Sequence, residues 1–185
     1  MTSKVYRQGS HRIRPPFETV ARVRPLMGAM GITRLANVTG LDSLGLPVMM
    51  AVRPNSRSVA VAQGKGLDLD SARASALMEA VETWHAERVL QPLRLATYRE
   101  LSHQPMADIQ GLPYCQGSRF HPDLPLLWIQ GQDLLAPGTS RWLPFELVHS
   151  DYTLPTHSGS GCFAANTNGL ASGNDLNEAL VHALG

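Results

Sequence analysis

The chain has 185 residues, 43% hydrophobic and 17% charged, and Lys+Arg 16 against Asp+Glu 15 leave a formal net charge of +1. That balance removes the electrostatic case for a nucleic-acid binder or a membrane-surface protein, and the length suits one domain with a sizeable core. With Gly 16, Pro 13 and only Cys 2, bulk disorder, collagen, coiled coil and a Cys-stapled mini-protein are excluded as well.

Residues Met1 to Arg7 lead into polar sequence with no apolar h-region for export, and runs such as Pro47 to Val52 are too short to cross a bilayer. The expected location is the cytoplasm. Cys115 and Cys162 form no C-x-x-C pair and are expected as two thiols.

Residues 1–30 read as a lead-in, with an amphipathic stretch from Glu18 to Met27 suited to one short helix. Ile32, Arg34, Ala36 and Val38 alternate with Thr33, Leu35, Asn37 and Thr39, and Pro47 to Val52 follows after a Gly-containing turn, so a hairpin is predicted. Ser58 to Ala62 gives a third strand. Asp70 to Val89 is the strongest helix, free of internal Gly and Pro, with Asp68 or Asp70 as its N-cap. Residues 90–125 are loop-rich, with a short strand near Leu93 to Thr97. Leu126–Leu134 and Arg141–Val148 flank Ala136-Pro137-Gly138-Thr139 as a second hairpin, and a last helix begins near Asp175. The fold class expected is α+β, mainly antiparallel hairpins packed with helices, with 31–185 as one core and no compositional break inside it.

Sliding residues 66–78 onto 173–185 matches Gly66 with Gly173, Asp68 with Asp175, and Leu69 with Leu176. It also matches Ala72 with Ala179, Ala76 with Ala183, and Leu77 with Leu184. Helix starts resemble one another, which is one explanation; two helix starts converging on one anionic ligand is the other.

Two constellations carry chemistry. Ser75, Glu79 and Glu82 share one face of the long helix, with two carboxylates in the pattern that suits a hard divalent cation. The alternative is a solvated acidic stripe, against which stands the absence of balancing Lys or Arg four residues on. Gln63-Gly64-Lys65-Gly66 just before it reads as a glycine loop that lets backbone approach a phosphate. Glu87 lies off the stripe and is expected at the surface. In the second constellation, Asn166 to Glu178, Asp175 and Glu178 have capping-box spacing, so Glu178 reads either as a cap or, with Asn174, as a ligand for phosphate oxygens and metal. No Walker A, G-x-G-x-x-G, H-E-x-x-H or nucleophile elbow occurs, and His85 and His182 read as packing or surface residues.

At these residues the chain resembles the YcaO family. The stretches that carry the resemblance are Gly31–Arg34, Asn37–Asp42, Gly45–Val48, Ala51–Pro54, Gln63–Gly66, Ser75–Glu82, Trp128–Leu134 and Thr167–Asn174, with Glu178-Ala179. The resemblance implies an ATP–Mg2+ site without a P-loop, used to phosphorylate a peptide amide oxygen so that a nucleophile gives an azoline, a thioamide or an amidine. It assigns Ser75, Glu79 and Glu82 to a first ATP/Mg2+ motif and Asn174 and Glu178 to a second. Arg12 and Thr19 fit the family's N-terminal basic-hydroxyl pair, Lys65 falls in the matching glycine loop, and Glu79, Glu82 and Glu178 would hold metal. The family continues with E-x-x-E-R one residue beyond Gly185. The chain is therefore expected to be the N-terminal portion of such a domain and inactive alone. The alternative is a catalytically silent nucleotide- or peptide-binding scaffold that works through a partner chain. The partners implied are a peptide or protein substrate, a sulfur-delivering or leader-binding protein, and a second copy of the chain, with no nucleic acid and no membrane.

Overall fold

The computed structural model describes residues 11–185, so the export-signal reading of Met1 to Arg7 lies outside the described residues. In chain order the elements are α1 (Pro16–Val23), which ends in a 3-10 turn at Arg24–Leu26, β1 (Arg34–Asn37), β2 (Val48–Val52), β3 (Val61–Lys65) and α2 (Leu69–Ala86). There follow β4 (Leu93–Ala96), α3 (Tyr98–Leu101), β5 (Leu126–Gln132), β6 (Ser140–Pro144) and α4 (Leu176–Leu184). The architecture is α+β with two three-stranded antiparallel sheets, ordered β1-β2-β3 and β4-β5-β6. The residues group into two compact units, one running up to Glu87 and resuming over Thr167–Gly185, the other Arg88–Asn166.

In the first unit, β1 pairs with β2 in the register Arg34↔Val52 to Asn37↔Met49, and β2 pairs with β3 from Val48↔Lys65 to Val52↔Val61. The third strand therefore lies three residues later than Ser58–Ala62. Ser58 is drawn instead onto the Glu87 carboxylate, through its amide at 3.2 Å and its hydroxyl at 2.6 Å. Gln63, Gly64 and Lys65 accordingly lie within strand β3 and do not form a loop.

Asp68 caps α2 by accepting from the Ser71 amide at 2.7 Å, a contact worth about 1 kcal/mol. The buried face of α2 is Ala72, Ala76, Leu77 and Ala80, packed with Ile32, Met49, Ala51 and Ala62 from the sheet side. The small side chains bring helix and sheet to backbone contact. A Cβ at Gly64 would lie 2.1 Å from the Ala76 nitrogen and 2.2 Å from the Ala72 oxygen. Glycine is required there by proximity and not by a left-handed φ.

Glu87, expected at the surface, is 2% exposed. Its carboxylate receives Ser58 and the Arg53 guanidinium, and Arg53 also donates to Thr83 Oγ1 at 2.9 Å and the Met30 carbonyl at 3.3 Å. Burial pushes the Glu87 carboxyl up, but Ser58 and Arg53 outweigh it and hold the group below its ordinary value. The α2 helix stops at Ala86, short of the expected Val89, where Glu87 turns into this network.

The second unit holds its own core of Ala96, Leu101, Ile109, Leu126, Trp128, Cys162 and Phe163. Trp128 donates its indole N–H to the Ala96 carbonyl at 2.9 Å, and Tyr114, Phe120 and Phe163 form a ring cluster. The short α3 carries a complete Thr97–Glu100 capping box. Cys115 and Cys162 are free thiols, as expected. Among the described residues no helix is long and apolar enough to cross a membrane.

Candidate functional site

The first unit carries a cavity of about 720 Å3, a size that suits a small-molecule ligand. Its walls come from the stretch before and into α1, the end of β3, one face of α2, and the Thr167–His182 segment leading into α4. All eight residues singled out from the sequence line it: Arg12, Thr19, Lys65, Ser75, Glu79, Glu82, Asn174 and Glu178.

On α2, Ser75 and Glu79 are one turn apart and Glu82 a further turn on, as the spacing predicts. Burial pushes the Glu79 carboxyl above its ordinary value, the charge of Glu82 adds to this, and the Gln63 backbone and Lys65 oppose it. A raised carboxylate means that ionisation here works against folding: stability is greatest below the unfolded value and falls as pH rises through the folded one. The pair, with the single charge of Lys65 beside it, leaves a net negative wall that a cation would relieve.

The opposite wall is a hydrogen-bonded junction between residues more than 150 positions apart. Thr19, 6% exposed, donates its hydroxyl to Asn174 Oδ1 at 2.8 Å. Glu178 Oε1 accepts from the Asn174 amide N–H at 3.1 Å, the Asn174 side chain at 3.0 Å and Arg12 at 3.3 Å, while Oε2 accepts from the Ile13 amide at 2.9 Å. Burial would raise the Glu178 carboxyl, yet these donors and the Arg12 charge hold it below its ordinary value. The capping box expected here is half formed. Asp175 Oδ1 accepts from the Glu178 amide at 2.8 Å, but the Glu178 carboxylate ties down Asn174 and Ile13 instead of the Asp175 amide.

The eight residues therefore share a cavity while playing different parts within it. Glu178 is a carboxylate saturated by four donors, whereas Glu79 and Glu82 face the space. Among the described residues no three His, Cys, Asp or Glu side chains converge closely enough to hold a metal by themselves. Sequence reasoning missed Arg14, Ser172 and His182 on the lining. Ser172 donates its hydroxyl to the Met78 carbonyl at 3.2 Å and so ties the α4 approach to α2. Ser172 lies inside the Thr167–Asn174 stretch, where no role was assigned to it, and the register of the internal repeat sets His182 against Ser75.

Comparison with known proteins follows the same lines. A family model described as YcaO cyclodehydratase, ATP- and Mg2+-binding, matches residues 63–185. An uncharacterised Mycobacterium tuberculosis protein is 39% identical over 183 residues, covering 99% of this chain and 42% of the relative. The chain spans about two fifths of the length of the curated relatives it matches, at 42%, 40% and 43% of theirs. Among solved structures, YcaO from Methanopyrus kandleri bound with AMPPCP and Mg2+ superposes with a TM-score of 0.70 at 25% identity, covering 100% of this chain and 45% of that one. A heterocyclase in complex with substrate and cofactor gives a TM-score of 0.75 at 23% identity, over 94% of this chain and 27% of its own, a likeness of fold. With a family model matching well over half its length and a cavity built from the residues that carried the resemblance, the chain belongs to the YcaO family.

Proposed function

We propose that the first unit is the nucleotide-binding part of an ATP–Mg2+-dependent enzyme that activates a peptide-backbone amide. The observation that carries this reading is the single cavity that gathers Ser75, Glu79 and Glu82 opposite Arg12, Thr19 and Asn174. Its donor set fits the group the family description implies. Mg2+ takes hard oxygen ligands and commonly uses one or two carboxylates together with substrate phosphates, which is what Glu79 and Glu82 offer. Bound Mg2+–ATP would supply a phosphoryl group for transfer to an amide oxygen, converting a poor leaving group into a good one.

The chain's own residues do the positioning. Glu79 and Glu82 hold the cation, and the Ser75 hydroxyl one turn earlier adds an oxygen on the same face. Lys65, at the end of β3, brings positive charge beside Glu79. The Thr19–Asn174–Glu178–Arg12 junction fixes the facing wall, so Glu178 acts in this reading by orienting Asn174 and Arg12, and its use as a metal ligand would require it to release donors. An azoline- or thioamide-forming reaction on a peptide or protein substrate is the activity proposed for the whole protein. A sulfur-delivering or leader-binding partner belongs to the same reading. So does self-association, which the exposed Leu176, Val181 and Leu184 of α4 support.

The test is thermal. Mg2+–ATP at a hundredfold excess over its Kd should stabilise the folded protein by about 2.7 kcal/mol, a rise in Tm of roughly 5–10 °C for a chain of this size. Glu79→Gln and Glu82→Gln should each abolish that rise. The sign of the Glu79 shift adds a control: without ligand, Glu79→Gln should melt no lower than wild type at neutral pH, because it removes an ionised group that opposes folding. The measurement is made on this chain and on one extended to the length of its relatives. No rise in the extended protein would sink the nucleotide reading.

A further inference from the structure

The repeat between residues 66–78 and 173–185 is also a repeat of structure. Asp68 caps α2 with φ −140° and ψ 169°, and Asp175 caps α4 with φ −143° and ψ 175°. Each cap accepts from the amide three residues on, Ser71 at 2.7 Å and Glu178 at 2.8 Å. Each cap carbonyl takes the next amide, Ala72 and Ala179, at 3.1 Å in both copies. Even the glycines before the caps share one constraint. A Cβ at Gly66 would lie 2.7 Å from the Ala72 nitrogen, and one at Gly173 would lie 2.4 Å from the Ala179 nitrogen. Gly66 with Ala72 and Gly173 with Ala179 are matched pairs in the alignment, so the agreement extends beyond the ordinary likeness of helix starts.

The two copies also present the same positions to the same space. In α2, the third and seventh residues after the cap are Ser71 and Ser75; in α4 they are Glu178 and His182. Residues four apart lie on one helical face, and all four of these side chains line the one cavity. His182 thus stands where Ser75 stands. Its Nδ1 lies 3.4 Å from the Ser172 carbonyl oxygen, which leaves Nε2 for a ligand. Charge decides which part of a ligand that is. The α2 face carries Glu79 and Glu82, whereas the lining contributed by the segment before α1 carries the guanidinium groups of Arg12 and Arg14, held by single ion-pair contacts to Glu178 at 3.3 Å, on the helix of His182, and to Glu18 at 3.4 Å.

We propose that α2 and α4 open with two copies of one ligand-facing module, and that His182 is the counterpart of Ser75, a binding residue that contacts the phosphate chain of the nucleotide. The proposal rests on the nucleotide reading above and adds a residue that reading does not use. Ser75 and the two carboxylates face the metal side of the ligand, and His182 faces the phosphate oxygens from the other copy.

Imidazole NMR on this chain tests it without requiring tight binding. Long-range 1H–15N spectra are recorded during titration with Mg2+–AMPPCP, with Mg2+–tripolyphosphate and with adenosine, and again with Mn2+ in place of Mg2+. His182 is assigned by its loss in His182→Gln. The ring signals of His182 should shift saturably with Mg2+–AMPPCP and with Mg2+–tripolyphosphate, and should broaden with the Mn2+ complex. His85, exposed on α2 and absent from the cavity lining, should do neither. His182→Gln should weaken Mg2+–AMPPCP about fivefold or more while leaving the amide spectrum otherwise dispersed. If the amides of Ser75 to Glu82 respond and the His182 ring stays silent, the nucleotide reading stands and this proposal fails. If His182 responds to adenosine and not to tripolyphosphate, the phosphate assignment fails. If neither α2 nor His182 responds to any probe in the extended protein, both fall together.

Discussion

Arg53→Met should destabilise the protein by about 3–5 kcal/mol, the cost of stranding a buried charge after its partner is removed. For a chain of this length that is a loss in Tm of roughly 6–20 °C. The Arg53 and Glu87 side chains are 3% and 0% exposed, and Arg53 also holds Thr83 and the Met30 carbonyl, so one substitution breaks three contacts. Removing both charges with Arg53→Met and Glu87→Leu should recover much of the loss, since apolar replacement of a buried pair is often near neutral. The pH dependence has a definite sign. Glu87 is held below its ordinary value, so its contribution is fully present above the unfolded value of about 4.5 and is lost as pH falls through the folded one. Wild type and Arg53→Met should therefore converge in stability under acid. Urea unfolding at neutral pH and below pH 4 measures both; a neutral-pH cost under about 1 kcal/mol would refute the network's importance.

Glu178→Gln should cost about 3 kcal/mol at neutral pH, because a buried carboxylate with four donors is replaced by a group that turns an amide toward them. The damage should be local. The Asp175 cap and α4 remain, while Arg12 and Ile13 lose their anchor on the far side of the chain. Glu178, like Glu87, is held below its ordinary value, so the wild-type advantage should shrink as pH falls below about 4.5. Hydrogen exchange gives the complementary readout: the Ile13 and Asn174 amides should lose protection in the variant while the β2 amides keep theirs. Equal protection at Ile13 would show that the carboxylate is not what secures the N-terminal segment.

Much of this architecture is legible locally. The alternation through Ile32 to Thr39 and the apolar run to Val52 specify the first hairpin, and Ala136-Pro137-Gly138-Thr139 marks the second turn. Asp68 and Asp175 announce α2 and α4 because a cap is a three-residue interaction. What escaped is long-range. The position of β3 depends on where Glu87 pulls Ser58, a contact across 29 positions, and Gln63-Gly64-Lys65 resembles a loop because glycine weakens strand propensity whatever its packing role. The site residues were named largely through family resemblance. Periodicity alone placed Ser75, Glu79 and Glu82 on one face and favoured a solvated stripe, against which stood only the missing Lys or Arg four residues on and the glycines just before the helix. That Thr19 meets Asn174, and Arg12 meets Glu178, belongs to tertiary packing and has no local signature.

The backbone contact between β3 and α2 carries a further consequence, in the language of sequence variation. A side chain on Gly64 would collide with the backbone of Ala72 and Ala76, both alanines are fully buried, and none of the three supplies a side-chain functional group to a ligand. They fix how close α2 lies and how it is turned about its own axis, and hence where Glu79 and Glu82 point. In a saturation scan scored for activity, these three positions should tolerate fewer replacements than Gln63 or His85, exposed residues of the same strand and helix that do not line the cavity. An inventory of essential residues drawn from such a scan would then set the smallest side chains in the unit beside Glu79 and Glu82, and the chemistry would have to be told apart from the scaffold that aims it.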